Sequence, residues 1–191
     1  MALAETIVVV SGIPRTGTSL MMKMLGRAGI PLLVDDKRSA DDSNPHGYFE
    51  LSAVRRTRED ADWVASAPGQ AVKVIHQLLS ALPRQYSYRV ILMQRPIEQV
   101  VASQDRMLTR LGADSDDLPK GRVHEILTEQ HHRARELLES ETCFDWIEVD
   151  YPELVQDPEP HARRVLEFLS LDADPAQLAS AVDPELHRER S

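Results

Sequence analysis

Five short runs of apolar residues lie along the chain, separated by stretches in which polar and apolar positions alternate at helical spacing. The runs are rich in Val and Ile, which is typical of strands buried on both faces of a parallel sheet. They occupy residues 6–10, 30–34, 71–75, 89–93 and 146–149. Strands that alternate with helices predict an α/β three-layer sandwich with a central, mostly parallel five-stranded sheet.

The stretches between the runs predict helices that cover both faces of this sheet. The helical pattern extends over residues 20–28, 48–65, 97–111 and 122–140. Further helices begin at Asp-Pro pairs, in which Asp is the N-cap and Pro the first helical residue, at residues 157–158, 174–175 and 183–184. Because no repeat or linker interrupts the alternation, we expect residues 1–191 to form a single domain.

Charge narrows the range of partners. The net charge is −9, whereas a general nucleic-acid binder is basic, so neither DNA nor RNA is expected as a partner. Of the 22 basic residues, 18 are Arg, whose planar guanidinium matches phosphate and sulfate oxygens. An anion site in this chain must therefore concentrate a few arginines locally.

The single cysteine and the short apolar runs predict where the protein is located in the cell. Cys143 is the single cysteine, so an intrachain disulfide is excluded, and a lone cysteine among apolar residues is typical of a reducing compartment. The apolar run at residues 6–10 is too short for a signal peptide or a membrane span. We therefore expect a cytoplasmic protein with no membrane span.

The first predicted strand leads into a glycine loop that opens a helix. Gly12 and Gly17 have the spacing of a nucleotide-binding P-loop, but Thr18 stands where a kinase or NTPase needs Lys to reach the β- and γ-phosphates. The fourth strand ends in Arg95 rather than in an acidic residue that would help to hold Mg²⁺. The loop N–H groups and the helix N-terminus still predict an anion cradle, to which Arg15 adds a charge.

This loop resembles the 5′-phosphosulfate-binding loop of sulfotransferases that use 3′-phosphoadenosine 5′-phosphosulfate (PAPS). The shared feature is Pro followed by a basic residue, one further residue and then Gly-Thr-Ser. The resemblance, which is to short bacterial P-loop-like members, implies that PAPS is the sulfuryl donor and that no metal is required. The donor-binding residues implied in the loop are Gly12, Pro14, Arg15, Thr16, Gly17, Thr18 and Ser19.

A second segment carries the same resemblance. Arg95 follows the fourth strand and Ser103 lies eight residues later on a helix, which is the family's arrangement for holding the 3′-phosphate of the donor. The common family form is Arg-Asp-Pro, whereas this chain has Arg95-Pro96-Ile97. Residues 151–158 and 168–171 also resemble a family segment. The similarity is weakest over residues 35–70, where acceptor recognition is usually built.

Transfer further requires charge stabilisation and a general base. The resemblance implies that Arg15 stabilises the leaving phosphate and that Lys73, in the third strand, contacts the sulfuryl or leaving group; the alternative for Lys73 is a strand lysine whose head extends to water. Glu50 is the first candidate for the base, because residues 44–50 resemble a family segment that borders the acceptor pocket; the alternative for Glu50 is a carboxylate in the first turn of a helix, where it complements the helix dipole. Asp35, Asp36 and His46 are the other candidates.

The leading functional prediction is an enzyme that moves a sulfuryl group in line from PAPS to a hydroxyl or amine of a small-molecule, glycan or lipid acceptor. One alternative is an anion- or nucleotide-binding module of the same fold that has no turnover. The other is a kinase-like phosphotransferase, which the missing Walker lysine disfavours. The acceptor and the oligomeric state are left open.

Two charged patterns have simpler interpretations. Glu125, Glu129, His132 and Glu136 share one side of the longest predicted helix, away from its apolar side, which predicts a solvated stripe rather than a metal site. Three basic residues in the predicted helix at 48–65 stand beside three acidic ones, which predicts a mixed-charge helix face. These residues are Arg55, Arg56 and Arg58, with Glu59, Asp60 and Asp62.

Overall fold

A parallel sheet forms the centre of the molecule in the computed structural model, which describes residues 3–35, 47–110 and 120–183. Over these residues the sheet has four strands in the order β2-β1-β3-β4, and every pairing is parallel. The strands are β1 (Thr6–Gly12), β2 (Ala71–Lys73), β3 (Ser87–Gln94) and β4 (Phe144–Asp150). The predicted α/β fold with a mostly parallel sheet is confirmed.

Helices cover both faces of the sheet. The α-helices are α1 (Thr18–Arg27), α2 (Ile97–Arg110), α3 (Lys120–Ser140), α4 (Tyr151–Gln156), α5 (Pro158–Leu169) and α6 (Pro175–Ala179). Short 3₁₀ helices occupy Leu3–Glu5, Ser52–Arg56, Asp62–Ser66 and His76–Ala81. None of the described helices is both long enough and apolar enough to span a membrane.

The alternation of side chains along β1 divides the core into two layers. Every residue of β1 is buried. Val8 and Val10 pack with α1, α5 and α6, whereas Ile7 and Val9 pack with α3 and the 3₁₀ helices. A strand covered by helices on both faces needs apolar side chains at every position, which explains the continuous Val-Ile run in the sequence.

The predicted strand at residues 30–34 is wrong. This segment makes one isolated parallel bridge, between Leu32 and Ala71, so the sheet has four strands over the described residues rather than five. Pro31 has no N–H to donate to a ladder, and β2, the strand beside it, is only three residues long. The segment therefore borders the edge of the sheet without extending it.

The continuous helix predicted at residues 48–65 is also wrong. Two 3₁₀ helices occupy this range, because polar side chains bond to nearby backbone groups and compete with the α-helical pattern. The Thr57 hydroxyl donates to the Val54 carbonyl at 2.6 Å, and the Asp62 N–H donates to Asp60 Oδ1 at 2.9 Å. The predicted starts at Asp157 and Asp174 are confirmed, and Pro184 lies outside the described residues.

Candidate functional site

The glycine loop joins β1 to α1 at the rim formed by the carboxyl ends of the parallel strands. Gly12 and Gly17 take positive φ values, 153° and 93°. A Cβ on Gly12 would lie 2.7 Å from the carbonyl oxygen of Met93, and a Cβ on Gly17 would collide with the Tyr151 ring. Glycine is therefore required at both positions, because any side chain would fill the space that lets the loop close against β3 and α4.

The loop holds its shape from within and opens toward the first turn of α1. The N–H of Thr16 donates to the Ile13 carbonyl at 3.3 Å, and the Thr16 hydroxyl donates to the same oxygen at 2.7 Å. Both polar groups of this buried residue thus shape the loop. Gly17 is the N-cap of α1, and the N–H groups of Thr18 and Ser19 precede the first intrahelical bond. Such a helix start attracts anions.

Two arginines and a serine connect this loop to the next strand and helix. Arg15, which has a strained φ of 76°, donates from Nε to Ser103 Oγ at 3.0 Å. Arg95 donates from Nη1 to the Arg15 carbonyl at 3.3 Å and from Nε to Gln99 Oε1 at 3.1 Å. Arg95 and Ser103 are buried. The loop and the Arg95/Ser103 pair, predicted from separate parts of the sequence, therefore form one cluster.

Tyr151 contacts both Arg95 and the glycine loop. The Arg95 guanidinium lies 4.8 Å from the centre of the Tyr151 ring, a distance suited to a cation–π contact. The same ring packs against Gly17. Asp150, the N-cap of α4, accepts a hydrogen bond from the Glu153 N–H at 2.9 Å and so fixes the start of the helix that carries Tyr151. One ring therefore positions both parts of the cluster.

Lys73 connects the loop to the segment that carries Glu50. Its Nζ donates to Ser19 Oγ at 3.2 Å and to the Tyr48 carbonyl at 2.6 Å, and it lies 3.6 Å from Glu50 Oε1. Its side chain is 10% exposed, so its head lies within the site rather than in bulk water. Glu50 Oε2 accepts a hydrogen bond from Arg55 at 3.0 Å. The three residues proposed for catalysis thus lie in or next to the loop.

Of the other three candidates for the general base, only Asp35 lies among the described residues. Asp35 accepts hydrogen bonds from the N–H and hydroxyl of Ser52, at 2.7 and 2.5 Å, and its own N–H donates to the Glu50 carbonyl at 2.9 Å. Asp35 therefore holds the backbone at Glu50 and at Ser52. Asp36 and His46 lie outside the described residues.

Comparison with known proteins identifies the family. A model of the sulfotransferase family matches residues 44–175, which is more than half of the chain. The chain belongs to the sulfotransferase family. The predicted resemblance is thereby confirmed. The match includes Glu50, Lys73, Arg95 and Ser103, whereas the glycine loop precedes it. No curated protein sequence matches the chain.

Solved sulfotransferases share the fold at low identity. The sulfotransferase domain of the curacin biosynthetic pathway is 14% identical, with a TM-score of 0.55 over 93% of this chain and 78% of that one. Sulfotransferase STF1 from Mycobacterium tuberculosis is 14% identical, with a TM-score of 0.56 over 92% of this chain and 70% of that one. Mouse sulfotransferase SULT7A1, solved in complex with adenosine 3′,5′-bisphosphate (PAP), is 18% identical, with a TM-score of 0.52 over 95% of this chain and 64% of that one.

His76 lies next to the glycine loop, and sequence analysis did not identify it. Its buried ring lies beside the loop, with Nδ1 3.2 Å from the Gly12 carbonyl oxygen and Nε2 3.0 Å from Gln130 Oε1 on α3. Burial lowers the pKa of His76 below the usual 6.5, against the opposing effect of both hydrogen bonds, so the ring is neutral at pH 7. The sequence did offer one indication of this position: His76 comes three residues after Lys73, just beyond the carboxyl end of a parallel strand, where ligands bind in such sheets.

The described residues do not form the arrangement that a metal site requires. No group of three or more His, Cys, Asp and Glu side chains among them is placed to hold a metal ion. On α3, Glu129 pairs with Arg133, and His132 pairs with Glu136, on an exposed surface. The stripe predicted to be solvated is solvated.

Proposed function

We propose that the chain transfers a sulfuryl group from PAPS to a hydroxyl or amine of an acceptor by in-line displacement. One observation carries this proposal: the glycine loop and the Arg95/Ser103 pair are joined by direct hydrogen bonds through Arg15. Two anion-binding elements at a fixed separation suit a nucleotide that carries phosphates at both its 5′ and 3′ positions. The presence of PAP in the mouse relative supports this choice.

The residues present fit such a donor. Gly12 and Gly17 leave the cradle open where a Cβ would fill it. The first-turn N–H groups of α1 would bind the 5′-phosphosulfate, together with Arg15. Arg95 and Ser103 would bind the 3′-phosphate, since a guanidinium and a hydroxyl both donate hydrogen bonds to phosphate oxygens. No metal is required, because fixed cations and backbone amides supply the positive field.

The transfer step forms one bond to sulfur and breaks another. The acceptor oxygen or nitrogen attacks the sulfur, and the bond between the sulfur and the bridging oxygen of the 5′-phosphate breaks. Negative charge grows on that phosphate, where Arg15, the loop amides and Lys73 stabilise it. The acceptor proton passes to a general base. Rate enhancement then arises mainly from positioning and preorganised charge.

Glu50 is the proposed base. Its contact with Lys73, which in turn contacts Ser19, places its carboxylate next to the donor loop. His76 is the second candidate, because a neutral imidazole beside Gly12 is also able to accept a proton. Asp35 is a weaker candidate, since it is occupied by the two hydrogen bonds from Ser52.

Calorimetry on the purified chain tests the donor. We expect adenosine 3′,5′-bisphosphate (PAP) to bind at least about tenfold more tightly than AMP without Mg²⁺, because only PAP engages the Arg95/Ser103 pair. Equal affinities would exclude the second anion site. Preference for ATP–Mg²⁺ over PAP would favour the kinase-like alternative.

Turnover separates the enzyme from the binding module. The assay follows release of PAP from PAPS together with the appearance of a sulfated product. Binding of PAP with no transfer to any hydroxyl or amine acceptor would favour the non-catalytic alternative. We propose a small-molecule, glycan or lipid acceptor, and a cytoplasmic location remains a prediction.

A further inference from the structure

Three arginines lie on the 3₁₀ helix Ser52–Arg56 and just after it, next to Glu50. Arg55, Arg56 and Arg58 are exposed. The sequence predicts a mixed-charge helix face here, and Glu59, Asp60 and Asp62 are exposed as well, although on and between two 3₁₀ helices rather than on one α-helix. Among the described residues, no ion pair joins the three arginines to these carboxylates, and Asp60 accepts a hydrogen bond from the N–H of Asp62. Arg55 pairs with Glu50, the proposed base.

Arg55 is the most exposed residue in a series of polar contacts that connects it to the glycine loop. Arg55 contacts Glu50, Glu50 contacts Lys73, and Lys73 contacts Ser19 of the loop. The exposed fraction of the side chain falls along this series, from 70% at Arg55 to 24% at Glu50 and 10% at Lys73. Arg55 therefore stands where an acceptor coming from solvent would first meet the site.

Arg58 lies three residues after Arg55 and contacts the segment that carries His76. Its Nη2 donates to the Gln77 carbonyl at 3.0 Å, and Gln77 directly follows His76, the histidine beside the loop. Ile75, on the other side of His76, is 40% exposed and is the large apolar side chain most open to solvent in the described parts of the chain. The segments next to Glu50 and His76 thus carry an exposed apolar side chain and two exposed guanidinium groups, which retain further N–H donors.

We propose that Arg55 and Arg58 bind an anionic group, such as a carboxylate or phosphate, on the acceptor itself. This inference rests on the proposed function and adds a substrate class to it: the acceptor carries a negative charge close to the hydroxyl or amine that is sulfated. The net charge of −9 repels an anion, and carboxylates also lie near these arginines in the sequence. Direct contacts from the two guanidinium groups therefore have to outweigh this repulsion.

Binding of the anion also affects Glu50. In the structure Glu50 Oε1 faces Lys73 and Glu50 Oε2 accepts from Arg55. When Arg55 turns to an anionic group on the acceptor, the hydrogen bond from Arg55 to Oε2 is lost, whereas a neutral acceptor leaves it in place. Acceptor binding and the surroundings of the proposed base are then linked through one side chain.

A matched pair of probes tests this inference on the full chain saturated with PAP. The probes are 4-hydroxyphenylacetate and its neutral isostere 4-hydroxyphenylacetamide, and their affinities are measured by NMR titration at low ionic strength. We expect the carboxylate to bind roughly three- to tenfold more tightly, in keeping with one or two exposed charge-assisted contacts. The preference should vanish in the double variant Arg55→Gln/Arg58→Gln and persist in Arg163→Gln, which removes an exposed arginine on α5.

The outcomes separate this inference from the proposed function. PAP affinity and unfolding temperature of the double variant should match those of the parent chain, because the glutamine that replaces Arg55 would still be able to donate to Glu50. If PAP binds but both probes bind equally or not at all, the acceptor inference is wrong and the donor assignment stands. A preference that survives in the double variant also overturns it. If the parent chain does not bind PAP, the proposed function fails and this inference fails with it.

Discussion

The donor side and the acceptor side of the rim are built differently. On the donor side, Arg95 and Ser103 are buried at a strand end and within a helix, and hydrogen bonds there join residues 80 and 88 positions apart in sequence. On the acceptor side, Glu50 and Arg55 lie on or beside 3₁₀ helices and are more exposed. In the proposed function, the donor, which is the same for every acceptor, would bind the more buried of these two sides.

This difference has a physical origin. Parallel strands of one sheet end at one rim, so side chains at strand ends are positioned by the fold itself. Turns and 3₁₀ helices depend on local side-chain bonds, and their sequence can change without affecting the sheet. Donor recognition is therefore tied to the core, whereas acceptor recognition is able to vary. Four predictions test this contrast, from the largest expected effect to the smallest.

Glu50→Gln should abolish most turnover while donor binding persists. The amide keeps the shape of the carboxylate but cannot accept a proton, and loss of a general base typically costs about 10²–10⁴-fold in rate. The measurement is sulfation of the first acceptor found, with calorimetry of PAP binding alongside, and Glu59→Gln is the exposed control. If Glu50→Gln is fully active and His76→Asn is not, His76 rather than Glu50 is the general base.

Arg15→Ala should reduce transfer by about a hundredfold or more, because it removes one preorganised cation from the leaving phosphate. The unfolding temperature should change little, since Arg15 lies in a loop, is only half-buried and keeps the same strained φ when replaced by Ala. Arg27→Ala, an exposed change at the end of α1, should leave both quantities unchanged. A large fall in unfolding temperature would instead make Arg15 a structural residue.

Tyr151→Leu should weaken PAP binding roughly three- to tenfold, because the ring that faces Arg95 is lost and a cation–π contact contributes on the order of 1 kcal/mol. AMP, which lacks the 3′-phosphate, should be affected much less. Tyr151→Phe retains the ring and should retain PAP affinity. Equal weakening of PAP and AMP by Tyr151→Leu would show that the ring supports the whole loop rather than Arg95.

His76 should give the smallest effect, a dependence of stability on pH. Because burial lowers the pKa of His76 in the folded chain, its contribution to stability is complete above pH 6.5 and is lost as the pH falls from 6.5 through the folded pKa. The free energy of unfolding, measured by denaturant titration, should therefore fall less over this pH range in His76→Gln than in the parent chain. Identical slopes would contradict a neutral, buried ring.

Local patterns in the sequence were sufficient for the four strands that form the sheet and for the glycine loop. Runs of β-branched residues predict buried parallel strands, and the two spaced glycines predict an anion cradle, because each pattern reflects a constraint within a few residues. The same locality explains the errors. Residues 30–34 resemble a strand, but pairing depends on a neighbour, and β2 offers only three residues.

Only the tertiary structure brought the distant groups together. The sequence indicated Arg15, Arg95 and Ser103 separately, but the hydrogen bonds between them depend on β1 and β3 being adjacent. The contact of Tyr151 with Arg95 depends on β4 ending beside β3, and that of Arg55 with Glu50 on 3₁₀ turns that apolar periodicity does not specify. Contacts across many residues require a folded backbone, because chain spacing sets which residues share a face but not which faces meet.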